Sequence, residues 1–219
     1  MKFVIATLIL ASSGAFAATD GTMKLNVKND ELLNVIETYS KASGQKFVID
    51  PAVRGKISIL NQQPITLPEA FNQLSSALAI NGFAISTQGD TMIIKSARNI
   101  QRDLVEVSTE LPALKPERMA TWIITLKHVP AINVNRDLRI FPSKDGEMNV
   151  NVAGNQIIVT DWTANLHRIA EIMKQVDKPA DAATAKLVAD AQKDRRENRK
   201  ERGENPLTPP APPKEKSNN

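Results

Sequence analysis

The stretch FVIDPAVRGKISI, residues 47–59, decides the fold of this chain. Its first three residues are apolar and predict a short buried strand. Asp50 and Pro51 predict a turn, because both residue types are common in turns. The alternating residues 56–60 predict the next strand, and Gly55 comes directly before it. We assign Asp50, Pro51 and Gly55 to turn structure and not to a binding site.

The residues before this stretch predict a half-buried first strand. Apolar and polar residues alternate over residues 24–28, which leaves Lys24, Asn26 and Lys28 on the polar side. Such a strand at the edge of a sheet can accept a strand from a partner protein. Edge lysines can equally protect a sheet from unwanted pairing. Both interpretations stay open, and these three residues are the candidate partner-binding residues.

Helix signals complete a first module, residues 22–97, with the order β-α-β-β-α-β-β. Asp30 is a predicted N-cap, and Gly44 is a predicted end of the same helix. Thr66 and Glu69 have the spacing of a capping box for the second helix. Residues 88–90 predict the turn of a closing hairpin.

A second module with the order β-α-β-β-α is predicted over residues 120–179. Gly154 predicts the turn between its last two strands, and Asp161 is a predicted cap for the final helix. Residues 98–119 have no sustained periodicity and predict a linker. The predicted fold class is therefore α+β, with two small modules.

The two ends of the sequence differ from the modules. Residues 1–17 have a positive start, an apolar run and an A-x-A site, which predict a cleaved signal peptide and export. Residues 180–219 become charged and then rich in proline, which predicts a disordered tail. Opposite charges at helical spacing also allow a solvated helix here. We interpret the tail as a tether rather than as a basic region for an acidic surface.

Composition and motifs argue against catalysis. The chain has no cysteine, which excludes disulfides, thiol catalysis and cysteine-based zinc sites. His128 and His167 have no acid or nucleophile near them in the sequence, and no phosphate loop or hydrolase motif is present. Trp122 and Trp162 fall within apolar patterns and predict core packing. We therefore predict no enzymatic activity, no cofactor and no metal.

Sequence features also argue against a nucleic-acid ligand. The second module has a KH-like order, but its loop at residues 142–146 lacks the GXXG sequence that clamps RNA. Only 4% of the residues are aromatic, which is few for base stacking. The net charge is +4, which does not require a polyanionic partner.

Residues 47–59 resemble the secretin/TonB short N-terminal domain, in which an apolar strand leads into Asp-Pro, then Val-x-Gly and a second strand. Residues 119–179 resemble the KH-like second periplasmic domain of outer-membrane secretins, through residues 124–129, the strands around Gly154 and the closing residues 176–179. The tandem order is similar to the N-terminal periplasmic region of secretins. No pore domain follows in this sequence, so we expect no channel of its own.

This resemblance implies a non-enzymatic periplasmic protein of a type II secretion or type IV pilus-like system, associated with an outer-membrane complex. It implies secretin or inner-membrane secretion proteins as partners, ring-forming homo-oligomers, and no direct membrane insertion after signal cleavage. One alternative is signalling, because the same short domain occurs in TonB-dependent transducers, although those carry a receptor barrel instead of a KH-like module. Another alternative is a glycan-binding or hydrolytic role unrelated to secretion.

Overall fold

The computed structural model describes residues 21–103 and 105–201. The predicted signal peptide and residues 202–219 of the predicted tail lie outside the described residues. Helices and small sheets form two modules, so the predicted α+β class is confirmed.

The first module contains the predicted β-α-β-β-α-β-β order with two very short strands and one helix added. Its elements in chain order are β1 (Thr22–Met23), β2 (Val27–Glu31), α1 (Leu32–Ser43), β3 (Lys46–Ile49), β4 (Lys56–Ile59), β5 (Ile65–Thr66), α2 (Leu67–Ile80), β6 (Phe83–Gln88), β7 (Thr91–Ser96) and α3 (Ala97–Asp103).

Three small sheets build this module around its helices. Strand β7 is central in the order β3-β7-β6, parallel to β3 and antiparallel to β6, while β2 pairs with β4 and β1 with β5. Helices α1 and α2 share one core with residues from both larger sheets, including Ile57 of β4 and Ile94 of β7. Leu74, Leu78 and Ile94 are fully buried, and each contributes about 1.5–3 kcal/mol through burial.

The helix ends confirm some capping predictions and correct two others. Gly44 ends α1 in the left-handed conformation, and Thr66 Oγ1 accepts a hydrogen bond from the Glu69 N–H at the start of α2. Asp30 is not the cap of α1, because β2 continues to Glu31. The Asp30 carboxylate instead accepts from the Glu31 N–H and from the Asn34 side-chain amide. Asp161 is likewise not the cap of the last helix of the second module, which Trp162 precedes.

The second module contains the predicted β-α-β-β-α order with one added strand. Its elements are β8 (Glu106–Ser108), β9 (Met119–Thr125), α4 (Ala131–Leu138), β10 (Glu147–Asn151), β11 (Gln156–Trp162) and α5 (Thr163–Val176). The sheet order is β10-β11-β9-β8, with β8 parallel to β9. Residues of α4 and α5 share a core with alternate residues of β9 and β11, such as Ala120 and Ile157.

Residues 98–119, predicted as a linker, contribute structure to the junction between the modules. Helix α3 buries Ala97 and Ile100 in a cluster that also contains Met119 and Trp162 of the second module. Arg98 of α3 donates a 2.9 Å hydrogen bond to the Lys144 carbonyl. Sequence periodicity missed this helix because it is only seven residues long.

A helix, α6 (Ala182–Glu201), replaces the first half of the predicted disordered tail. Asp181 caps it, because its carboxylate accepts from the backbone N–H of Thr184 at 2.8 Å and from the Thr184 hydroxyl at 3.0 Å. Alanine is frequent in its first turns and favours helix intrinsically. Every α6 side chain whose burial is described is exposed, so this is the solvated helix that the charge spacing allowed.

Candidate partner-binding surfaces

Strands β2 and β4 form a two-stranded antiparallel ribbon on the surface of the first module. Val27 lies opposite Ile59, and Asp30 lies opposite Ile57. Ile57 and Ile59 point into the core, whereas Lys56 and Ser58 are exposed. Within residues 21–103 and 105–201 no third strand pairs with this ribbon. Its outer edges can therefore form main-chain hydrogen bonds with another chain.

The two edges of the ribbon differ in regularity. Strand β2 carries an irregularity between Val27 and Asp30, where Asn29 has a left-handed φ of 53°. The Asn29 N–H donates to the Ser58 hydroxyl at 2.9 Å instead of to a backbone carbonyl. Bulges of this kind twist an edge strand and hinder pairing with a further strand. Strand β4 alternates regularly between exposed and buried residues, so it is the better template for an added strand.

Two of the three candidate partner-binding residues do not lie in a strand. Lys24 and Asn26 are exposed but fall between β1 and β2, and only Lys28 lies within β2. The predicted alternation of exposure is correct around the buried Leu25. At Leu25 a side chain takes the place of a neighbouring strand. The Asn61 amide donates a hydrogen bond to the Leu25 carbonyl at 2.7 Å.

The turn residues connect the ribbon to the helices. The Asp50 carboxylate accepts from the Ala52 N–H at 2.8 Å, and the Asp50 carbonyl accepts from the Val53 N–H at 2.9 Å. Gly55 has a φ of +136°, and its carbonyl accepts from the N–H of Leu32 at the start of α1. A Cβ on Gly55 would lie 2.6 Å from the Asn81 side-chain oxygen, so glycine is required sterically as well.

An apolar groove lies beside β4, and sequence reasoning missed it. Leu60 and Ile80 are 73% and 82% exposed, and they line a groove of about 560 Å³ together with Leu114. Exposed apolar groups that lie together often mark protein contacts. The position of Ile80 in the sequence could have indicated an exposed apolar residue. It follows Leu78 by two residues and therefore lies on the opposite side of α2 from the buried residues.

The two histidines differ in their surroundings. The His128 side chain is exposed, and the His167 Nε2 lies 2.8 Å from the Pro112 carbonyl, which it contacts as a donor. No group of three or more metal-binding side chains occurs among the residues that the structure describes. Trp162 is buried, and Trp122 packs against the core of the second module.

Asp177 stabilises the backbone next to His128. Its carboxylate accepts hydrogen bonds from the backbone N–H groups of Lys127 at 2.8 Å, His128 at 2.7 Å and Val129 at 3.3 Å. Burial alone would raise the pKa of Asp177, but these three donors outweigh it and hold the pKa below its ordinary value. The carboxylate thus connects the end of α5 to the loop that follows β9.

None of the described helices is long and apolar enough to cross a bilayer. This observation concerns helices α1 to α6 and not residues 1–20 or 202–219.

Comparison with known proteins identifies the class of the first module. Residues 25–94 match the family model described as the GspD-like N0 domain. The chain resembles the N-terminal region of bacterial secretins, as the sequence predicts. The matched residues contain the ribbon, both long helices of the module and the Asp50 turn.

Curated secretins extend the likeness into the second module. Secretin XcpQ of Pseudomonas aeruginosa is 25% identical over 154 residues, covering 70% of this chain and 23% of XcpQ. Secretin GspD 2 of Escherichia coli O78:H11 is 24% identical over 198 residues, covering 83% of this chain and 29% of that protein. The chain therefore spans about a quarter of the length of these curated relatives.

A solved assembly shows the same fold. The Klebsiella pneumoniae type II secretion system outer membrane complex, which contains PulD, PulS and the PulC HR domain, matches with a TM-score of 0.63 and 22% identity. The match covers 71% of this chain and 27% of that chain.

Proposed function

We propose that this chain acts in protein secretion as a non-enzymatic, periplasmic contact module of a type II secretion or type IV pilus-like machine. The observation that carries the proposal is the N0-domain match over residues 25–94, continued by secretin likeness over the second module. Its partners are secretin subunits or inner-membrane components of the same machine. A similar fold in the Klebsiella complex occurs together with PulS and the PulC HR domain, which supports contacts of this kind.

Strand β4 and the apolar groove are the surface that we assign to the partner. The regular outer edge of β4 pairs with an extended partner strand, and the bulged β2 edge beside Lys28 resists pairing. In this proposal, β4 is the strand that accepts a partner and β2 is the strand that is protected from pairing. Alternate apolar side chains of the added strand pack against Leu60 and Ile80, which gives the contact its specificity.

Site-specific photo-crosslinking in the native host tests this assignment. A photoreactive phenylalanine analogue is placed at Leu60, at Lys28, or at Gln88 in the hairpin on the other large sheet of the module. We expect an adduct with a secretin or an inner-membrane secretion protein from position 60. Position 28 should give a weaker adduct, because the bulge keeps a partner strand away, and position 88 should give none.

A matched pair of substitutions measures how much the groove contributes. Leu60→Asp and Leu187→Asp introduce the same charge at residues that are 73% and 70% exposed, but only Leu60 lines the groove. Losing the burial of one leucine in an interface corresponds to about 1.5–3 kcal/mol, so Leu60→Asp should weaken partner binding at least about tenfold. Leu187→Asp should bind like the unmodified chain. Adducts restricted to proteins unrelated to secretion, or equal effects of both substitutions, would contradict the proposal.

A further inference from the structure

A cleft between the two modules is a feature that the proposed function does not use. It has a volume of about 570 Å³, within the range of pockets that hold ligands in proteins. Helix α2 and strands β6 and β7 of the first module form one side. The chain from Val105 to Met119 forms the other side. The cleft therefore exists only because both modules are present.

The floor of the cleft is apolar but contains one buried polar atom without a partner. Ile85, Met92 and Met119 line it and are buried, together with the half-buried Phe71. Ser75, which is 2% exposed, also lines it, and its hydroxyl has no hydrogen-bond partner among the described residues. Leaving such a group unpaired costs about 1–3 kcal/mol. A ligand that supplies a hydrogen-bond acceptor or donor at this position would recover that energy.

The side of the cleft formed by the second module carries more negative than positive charge. Glu106 and Glu117 line it with a single cation, Arg118, whose guanidinium lies 3.4 Å from the Glu106 carboxylate. Glu117 is half-buried and accepts from the Thr163 hydroxyl and the Ala164 N–H at the start of α5. Two carboxylates and one guanidinium leave one net negative charge beside an apolar floor. This pattern complements a ligand with apolar groups next to a cation.

The junction holds the cleft in a fixed shape. Met119 lines the cleft and also belongs to the α3 cluster with Trp162, and Arg98 contacts the Lys144 carbonyl across the modules. Trp162 donates through its indole N–H to Asp145 at 3.4 Å, which orders the loop that Arg98 contacts. A preformed site loses less conformational entropy on binding, so a short ligand can bind measurably.

We propose that this cleft binds an extended peptide segment of a partner protein that carries a basic side chain between apolar ones. The basic group pairs with Glu106 and Glu117 at the rim, and a neighbouring apolar side chain enters between Met92 and Met119. A peptide carbonyl accepts from the Ser75 hydroxyl. Methionine side chains are flexible and polarizable, which suits a site that accepts different apolar side chains. No residue of β4 lines the cleft, although Glu117 lines both the cleft and the apolar groove, so the proposal does not depend on strand addition at β4.

Nuclear magnetic resonance titration of the isotope-labelled full chain tests this proposal. The probe is the end-blocked peptide Gly-Leu-Arg-Leu-Gly, and its control is Gly-Leu-Glu-Leu-Gly. The basic peptide should shift the backbone amide signals of Ser75, Ile85 and Met119 with a dissociation constant of about 1 mM or tighter. The acidic control should bind at least about tenfold more weakly, because its charge repels the two carboxylates.

A charge-matched pair of variants locates the contact. Glu106→Lys reverses an exposed charge inside the cleft, and Glu110→Lys reverses one on an exposed neighbour that does not line it. Glu106→Lys should weaken the basic peptide about tenfold, whereas Glu110→Lys should leave binding within about twofold. The peptide comparison on the unmodified chain decides the question even if a variant fails to fold.

The outcomes separate this cleft from the β4 surface. Shifts at Ile57 and Ile59 without shifts at Ser75 would overturn the cleft proposal and leave the proposed function intact. Equal binding of both peptides would show that the carboxylates do not select a basic side chain, and the absence of shifts at Ser75, Ile85 and Met119 would show that the cleft binds no such peptide. Either result would also overturn the cleft proposal.

Discussion

The substitution Gly146→Ala should destabilise the second module strongly, although it adds only one methyl group. A Cβ at Gly146 would lie 2.8 Å from Asp161 Oδ1 and would overlap the rest of that carboxylate. Asp161 is completely buried and cannot move aside freely. It accepts hydrogen bonds from the Ser143 hydroxyl at 2.6 Å, the Ser143 N–H at 2.7 Å and the Trp162 N–H at 2.7 Å.

The expected magnitude follows from these contacts. Overpacking of a rigid site costs about 1–3 kcal/mol, and each hydrogen bond lost from a buried charge costs about 1.5–3 kcal/mol. Gly146 does not have a left-handed φ, so alanine would otherwise stabilise by about 0.4–1 kcal/mol through the unfolded state. Displacing the carboxylate from even one donor therefore gives a net loss of about 1.5–5.5 kcal/mol in the free energy of unfolding.

Urea unfolding followed by tryptophan fluorescence measures this loss in the correct module, because Trp122 and Trp162 are the two tryptophans of the chain. Gly154→Ala is the matched control. Its Cβ would approach only the ends of the Gln156 and Asn151 side chains, at 2.8 Å and 3.0 Å, and these can move into solvent. The control should change stability by no more than about 0.5 kcal/mol. A Gly146→Ala loss below about 1 kcal/mol, or equal losses in both variants, would refute the reasoning.

Two further substitutions test the contacts that connect loops to helices. Asp177→Asn should cost about 1–2 kcal/mol at pH 7 in urea unfolding, because a neutral amide is a weaker acceptor for the three N–H groups at residues 127–129. The pKa of Asp177 is lower in the folded state than the unfolded value of about 3.9, so its contribution is complete above that pH and is lost as the pH falls through the folded pKa. The difference between the two proteins should therefore shrink in acid, and a constant difference would contradict this cause. Gly55→Ala should cost about 1–3 kcal/mol by thermal unfolding, because alanine is strained at a φ of +136° and meets Asn81, whereas Ala52→Gly on the same exposed turn should cost less.

Local signals predicted the elements well because they act within a few residues. The alternation around Leu25, the capping contact of Thr66 with Glu69 and the left-handed Gly44 all depend on neighbours in sequence. The predicted cap at Asp30 failed because β2 continues to Glu31, and the predicted cap at Asp161 failed because of a long-range contact. Asp161 accepts from Ser143, eighteen residues away, and sequence spacing does not indicate such a long-range partner.

The candidate surfaces were harder to predict, because each combines residues that are distant in sequence. The apolar groove brings Leu60 and Ile80 of the first module next to Leu114, and the cleft brings Ser75 next to Arg118. Both depend on residues 98–119, whose helix α3 and strand β8 are too short to produce a periodic pattern. A flexible linker would let the modules bind partners independently. The packed junction instead presents both surfaces on one body, so a partner held at β4 lies close to residues of the second module as well.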